Sequence, residues 1–197
     1  MQIVFQTHLN PKDYIDGSCT CEYPDAPSKC PFKDCGLPIV MRKNGFYCRC
    51  LITVEFNGTI KIRRYKCGKC RRTVSMLPSF CLAFCTYGVD IIVDVMQRAV
   101  DIGSVRKAAR ESSTIAICFT RRHIALYLSR LRQNRALIQF CFHQISPGSV
   151  SIGDSPGETA WTRSILLGIR QTPTTVFNAE FHKATGMSFM STQNRIA

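Results

Sequence analysis

Acidic side chains are scarce in this sequence: 13 Asp plus Glu stand against 26 Lys plus Arg in 197 residues, a formal net charge of +13. That scarcity argues against a nuclease or recombinase of the carboxylate type, which gathers acids around two metal ions. Beyond residue 80 the acids are Asp90, Asp94, Asp101, Glu111, Asp154, Glu158 and Glu180. Asp90 and Asp94 share one helix face, where capping and solvation account for them. No catalytic residue, and hence no enzyme, is expected. Long apolar runs are missing too. The longest uncharged apolar stretch, Thr73 to Val89, is too short to span a bilayer and contains Pro78, so no membrane partner is expected. The opening MQIVFQTHLN lacks the basic n-region of a secretory signal. The histidines His8, His123, His143 and His182 are scattered at no ligand spacing, and no repeat of solenoid period occurs. Charged residues make up only 20% against 45% hydrophobic, which excludes a disordered chain and leaves apolar material for a core.

What the sequence does have is cysteine, 12 in all. Without a secretion signal they suggest a reducing compartment, so metal ligation is favoured over disulfides and a cytoplasmic location over an extracellular one. The sharpest motif is Cys67-Gly68-Lys69-Cys70. A C-x-x-C turn places two thiolates on one tetrahedral ion, and nearby cations offset their charge. The natural partner pair is Cys30 and Cys35 in CPFKDC, with four residues between them. Two such pairs flanking hairpin strands form a zinc ribbon, in which Zn2+ supplies stability that a small sheet lacks. Cys48 and Cys50 share a strand face and are alternatives to Cys30 or Cys35, and Cys19 and Cys21 are candidates for a second ion. Cys81, Cys85, Cys118 and Cys141 lie in apolar surroundings and are expected as small core residues.

The periodicity predicts an α+β chain: a small N-terminal zinc-ribbon β-sheet followed by an all-α, helix-turn-helix-like helical module. Residues 1–29, broken by Pro11, Gly17, Pro24 and Pro27, are expected to be an irregular lead. Residues 30–80 form the ribbon, with strands over Pro38 to Arg42, Phe46 to Phe56 and Thr59 to Lys66. Asn44-Gly45 and Asn57-Gly58 are the hairpin signals between them. Residues 88–145 form the helical module. Val89, Ile92, Val93, Met96 and Val100 fall on one helix face. Ser104 caps a short helix from Val105 to Glu111. Ser112 to Phe119 is ambiguous. Thr120 caps Arg121 to Arg132, whose buried stripe is Ile124, Tyr127, Leu128 and Leu131, with Arg122, Ser129 and Arg130 pointing the other way. Arg135 to Ile145 follows. Residues 146–160 are expected to be a Ser/Gly/Pro linker, and residues 161–197 a C-terminal helical tail with helices over Trp161 to Gln171 and Thr174 to Ala184.

The basic residues are clustered. Lys61, Arg63, Arg64, Lys66, Lys69, Arg71 and Arg72 crowd into residues 61–72 with no acid, and residues 104–135 hold a second block with Glu111 alone against it. Such blocks point to a polyanion, with double-stranded DNA the leading partner. His123 lies beside the second block, within reach of phosphate or as an ordinary helix residue.

The run IKIRRYKCGKCRRTVSMLPSF (Ile60 to Phe80), an apolar helix after it and then SVRKAARES (Ser104 to Ser112) resemble a family of bacterial transposase-associated proteins. These join an N-terminal zinc ribbon to a helix-turn-helix, and several are known only as domains of unknown function. CPFKDC…RKNGFYCRC and RRHIALYLSRLRQN add to the resemblance, which covers roughly residues 28–143. It implies metal ligation by Cys30, Cys35, Cys67 and Cys70. It implies DNA contacts from Ser104, Arg106, Lys107, Arg121, Arg122 and Arg130, and a nucleoid-associated accessory or regulatory protein of a mobile element. In that reading the Arg121 to Arg132 helix enters the major groove, and Lys61, Arg63, Arg64, Lys69, Arg71 and Arg72 contact phosphates. Two departures stand out: the connection before Thr120 is lengthened by SSTIAICF and lacks glycine, and no recombinase domain follows. The alternatives are an RNA-binding ribbon stacking bases on Phe46, Tyr47 and Tyr65, and an interaction module that docks on a separate transposase or on itself.

Overall fold

The structure, a computed structural model, describes residues 1–16, 23–36, 38, 41–114, 117–145 and 157–191. It is a mixed α+β fold with a four-stranded sheet and seven helices among those residues. The strands are β1 (Gln2–Phe5), β2 (Arg42–Ile52), β3 (Asn57–Lys66) and β4 (Thr73–Pro78). The helices are α1 (Pro11–Asp16), α2 (Val89–Ile102), α3 (Val105–Glu111), α4 (Arg121–Gln133), α5 (Arg135–Ile145), α6 (Glu158–Gln171) and α7 (Thr174–Thr185).

The sheet order is β1-β4-β3-β2, with β1 parallel to β4 and the other pairs antiparallel. The lead is therefore not irregular throughout. Ile3 and Val4 of β1 pair with Met76 and Leu77, and Val4 is buried. A four-residue strand carries too little periodicity to be read before its partner is known. Asn44-Gly45 makes no hairpin turn either. It lies inside β2, where the register shifts between Lys43 and Phe46 and Gly45 takes φ 70°. This is a bulge with glycine in the left-handed region, which only a residue without Cβ adopts freely. The turn between β2 and β3 falls at Thr53 to Phe56, closed by the Thr53 N–H on the Phe56 carbonyl at 2.7 Å. Asn57-Gly58 already belongs to β3.

Alternation along β3 splits the sheet into two faces. Ile60 and Ile62 point to a core shared with Leu51, Leu77, Phe80, Tyr14 of α1 and Ala179 of α7. Tyr65 points the other way, into a smaller cluster with Met41, Val74, Met76, Cys30 and Cys67. Helix α1 docks on β3 through the Tyr14 hydroxyl, which donates to the Lys61 carbonyl at 3.1 Å.

Helix α2 is the hub of the largest core. Beyond the predicted face, Ile91, Val95, Ala99 and Gln97 are buried as well. A helix covered nearly all round is one that other helices surround, and α3, α4, α6 and α7 all pack on it. Its start is welded to the sheet: the Gly88 N–H donates to the Ile52 carbonyl at 2.9 Å, and a Cβ at Gly88 would lie 2.9 Å from Thr53 Cγ2. Gly103, at φ 70°, ends it.

The C-terminal helices α6 and α7 pack into the largest core. Trp161, Ile165, Leu166, Ile169, Phe177, Phe181 and Phe189 lie in the same core as α2 and α4. Phe142 of α5 stacks on Phe177 at 5.0 Å. Two buried asparagines fasten this packing. Asn178 Nδ2 donates to the carbonyls of Ser79 and Cys81 at 2.7 and 2.9 Å, and Asn134 Nδ2 to those of Phe189 and Ser191 at 2.8 and 2.9 Å. Of the expected linker, residues 146–156 lie outside the described residues, while Glu158 to Ala160 are already helical. Among the described residues no helix is long and apolar enough to cross a membrane.

Candidate metal centre and basic surface

Each half of the four-cysteine cluster is a tight turn. In the first, the N–H groups of Cys35 and Gly36 converge on the Phe32 carbonyl at 2.9 and 2.8 Å. In the second, the Arg71 N–H donates to the Cys67 carbonyl at 3.1 Å and the Cys67 N–H to the Arg72 carbonyl at 3.0 Å. The residue after the second cysteine takes the left-handed conformation in both: Gly36 at φ 50° and Arg71 at φ 62°. Strand β3 delivers Cys67 at its end, and the cluster of Tyr65, Met41, Val74 and Met76 seats Cys30 against it.

The Sγ atoms of Cys30, Cys35, Cys67 and Cys70 all lie within 4.8 Å of one another. Cys30 and Cys70 are 3.7 Å apart, and Cys35 and Cys67 3.8 Å. A tetrahedral ion with metal–sulfur bonds of about 2.3 Å has sulfur–sulfur edges of about 3.8 Å. The four thiols therefore can hold one metal ion with little rearrangement. Burial pushes the Cys30 thiol up to about 12, whereas the Arg72 backbone amide, with its guanidinium, draws Cys70 down to about 6. A bound cation displaces the protons that remain.

Arg72 links the two turns. Its guanidinium pairs with Asp34, lies 4.0 Å from the centroid of the Phe32 ring, and faces Cys70. That pairing holds the Asp34 carboxyl below the usual carboxylate range. Cys48 and Cys50 are exposed on β2, opposite Lys61 and Thr59, and stand outside the cluster. Cys19 and Cys21 lie outside the described residues. Cys81, Cys85 and Cys141 are buried as expected, but Cys118 is exposed, because it faces outward between Ile117 and Phe119, which are both turned into the core.

The residues expected to face a polyanion fall into two groups. Several are used within the fold. Arg63 stacks on Phe46 and Tyr23 at 3.8 and 4.8 Å, and Arg64 is half-buried with its Nε shielded. Ser104 caps α3, its Oγ accepting from the Lys107 N–H at 3.3 Å. Arg130, expected to point outward, is half-buried near Tyr127 and Cys85. His123 closes a capping box with Thr120, its Nδ1 accepting from the Thr120 N–H at 3.4 Å. Of the aromatics considered for base stacking, Tyr65 is buried with its hydroxyl donating to the Pro24 carbonyl at 2.6 Å. Tyr47 is half-buried, and Phe46, 37% exposed, is covered by Arg63.

The others are exposed: Lys61, Lys69, Arg71, Arg106, Lys107, Arg121 and Arg122. Among the described residues Arg106, Arg110, Arg121 and Arg122 form no ion pair, and Lys107 pairs within its own helix with Glu111 at 3.8 Å. Helices α3 and α4 pack together on α2. The first turn of α4 contains Arg121 and Arg122 and no acid. Cations are disfavoured there by the helix macrodipole, by about 0.3–1 kcal/mol each.

A wide cavity of about 570 Å³ lies elsewhere, lined by Asp90, Asp94, Arg98, Glu111 and Arg170 among others. Its acids are largely neutralised: Asp94 pairs with Arg98 and Arg170 at 3.0 and 3.6 Å, and Glu111 with Lys107. Asp90, at the start of α2, is raised by burial.

The sequence profile of a family described as a domain of unknown function (DUF6431) matches residues 30–117. The match spans the four cysteines, β2 to β4, α2 and α3, and ends just before α4. No curated protein and no solved structure matches the chain.

Proposed function

We propose that this chain is a zinc-dependent DNA-binding protein, an accessory or regulatory factor of a mobile element. In this reading the four-cysteine unit is a zinc ribbon, the all-sulfur donor set suiting Zn2+. Helices α2, α3 and α4 act as a helix-turn-helix-like unit with a lengthened turn, and the N-terminal part of α4 enters the major groove of duplex DNA.

One observation carries the reading: exposed Arg121 and Arg122, which form no ion pair among the described residues, occupy the N-terminal turn of α4, where the macrodipole opposes them. A local rule broken without a compensating contact in the fold is the mark of a functional site. A polyanion at that turn reverses the penalty. Leu126, 45% exposed, and Ala125 continue the same surface with groups suited to a thymine methyl. The burial of Tyr65 and the covering of Phe46 favour this over an RNA-stacking sheet.

The test is fluorescence anisotropy of the zinc-loaded chain on duplexes from the ends of its own genetic locus, beside a scrambled duplex, at low and physiological salt. Tighter binding to the end sequences that survives the higher salt is expected. Arg121→Gln with Arg122→Gln lowers that affinity at least about tenfold. Equal binding to every duplex, erased by salt, overturns site-specific recognition.

A further inference from the structure

Beside the metal centre, the start of β2 and the second cysteine turn enclose a hollow of about 300 Å³ lined by Arg42, Lys43, Asn44, Lys66, Gly68 and Arg71, with Cys67 of the metal centre at its wall. Four of these side chains are cationic and none is acidic. Among the described residues none of the four forms an ion pair, although Arg72 next door is paired with Asp34. The thiolates of the metal centre beside the four offset part of this charge, but no carboxylate lines the hollow, and a bound anion would turn the remaining repulsion into attraction.

The backbone is shaped to gather them. Arg42 and Lys66 are direct partners across the β2–β3 ladder. The bulge after Lys43 re-aims Lys43 and Asn44 relative to a regular strand. Arg71 holds the left-handed conformation that the first cysteine turn assigns to Gly36. A glycine is the unstrained choice at such a place. Here the strained position carries a guanidinium into the hollow instead, and strain retained beside a site is a pointer to its use.

We propose that this hollow is a phosphate-binding site, with Arg42, Lys43, Lys66 and Arg71 as its ligands. Taken with the DNA-binding reading, on which this identification of the source rests, the phosphate is one backbone phosphodiester of the bound duplex. Arg71 supplies a planar fork for two oxygens and the lysines act as point charges. Of the four, Lys66 and Arg71 belong to the basic block that the sequence points toward a polyanion, whereas Arg42 and Lys43 lie outside it.

The test uses the full zinc-loaded chain, with pyrophosphate as the small probe and the end duplex as the large one. Arg42→Gln with Lys66→Gln is compared with the charge-preserving Arg42→Lys with Lys66→Arg, and metal content and circular dichroism are checked in each. The expected result is pyrophosphate binding that weakens at least tenfold in the Gln pair, persists in the Lys/Arg pair and is competed by the duplex. The salt slope of duplex binding drops by about 1 in the Gln pair. Pyrophosphate binding that the duplex does not displace keeps the site but assigns it to free phosphate, and removes the hollow from the DNA reading. Normal duplex affinity and slope in the Gln pair, with no pyrophosphate binding to the parent chain, overturn the site while DNA recognition stands. Loss of metal in the Gln pair with phosphate binding unchanged also overturns it, since the cations then serve only to offset thiolate charge.

Discussion

Replacing Asn178 with alanine tests whether sheet, hub helix and C-terminal helices are one cooperative unit. Asn178 is fully buried, and its amide satisfies the carbonyls of Ser79 and Cys81, two residues that are themselves fully buried. Those carbonyls lie on the segment that carries the chain from β4 to α2. Alanine leaves both without the donor, and water has no direct access. An orphaned buried group costs about 1–3 kcal/mol. Asn178 Oδ1 has no partner of its own, so its removal returns part of that cost. The net loss is about 2–4 kcal/mol, a sizeable fraction of a total stability of about 5–15 kcal/mol. At this chain length that lowers the melting temperature by roughly 4–16 °C. The assay is thermal unfolding followed twice: by far-ultraviolet circular dichroism for the helices, and by a chromogenic chelator for metal release. Both transitions move down together if α7 helps hold the segment behind the cysteine turns. A shift below about 0.5 kcal/mol, or metal release that stays in place while the helical signal moves, refutes the reasoning.

Two further outcomes follow from the same geometry. Cys67→Ser removes the most buried corner of the sulfur tetrahedron. The parent chain is expected to bind one zinc ion with four sulfur neighbours at about 2.3 Å by X-ray absorption, and the variant to lose tight binding and the order of β2 to β4. Retained stoichiometry with an all-sulfur spectrum contradicts the assignment. His182 of α7 is held below its ordinary value of 6.5 by burial, with Nε2 against the Gln2 carbonyl at 3.2 Å. The unfolded chain therefore takes up its proton first as pH falls. The neutral-state contribution is complete above 6.5 and is lost as pH descends through the folded value. Urea midpoints at pH 7.5 and 5.5 should differ in the parent chain and differ less in His182→Gln, and equal differences in both remove His182 as the cause.

The elements with long periodic faces were legible in sequence. Helix α2 shows its i, i+3, i+4 spacing, and Ser104 and Thr120 cap α3 and α4 as their types suggest. The four cysteines converge as their spacing implied, because the turn between β3 and β4 and the turn before β2 share one small apolar cluster around Tyr65, Met41, Val74 and Met76. The errors came from tertiary context. Asn44-Gly45 is a good hairpin signal, but the same φ that suits a turn suits a bulge, and pairing with β3 on both sides selects the bulge. Strand β1 is too short to announce itself, and its partner lies some seventy residues on. The roles of Arg63, Arg72 and Arg130 could not be separated from those of Arg121 and Arg122 by composition. A cation stacked on Phe46 or paired with Asp34 looks, in sequence, the same as one facing solvent.

The parallel seating of β1 has a consequence for how the chain is made. β1 leaves the ribosome long before β4, its sheet neighbour, and the His182 contact that closes over Gln2 spans 180 residues. Until α7 has been synthesised, Val4 and Leu77 lack the cover of Ala179. The nascent chain thus passes through a stage in which the metal turns can close while a sheet edge stays open to pairing with a neighbouring chain. Non-local closure of this kind is slow. A slower passage of translation between residues 78 and 182 lengthens the time for which that edge is uncovered.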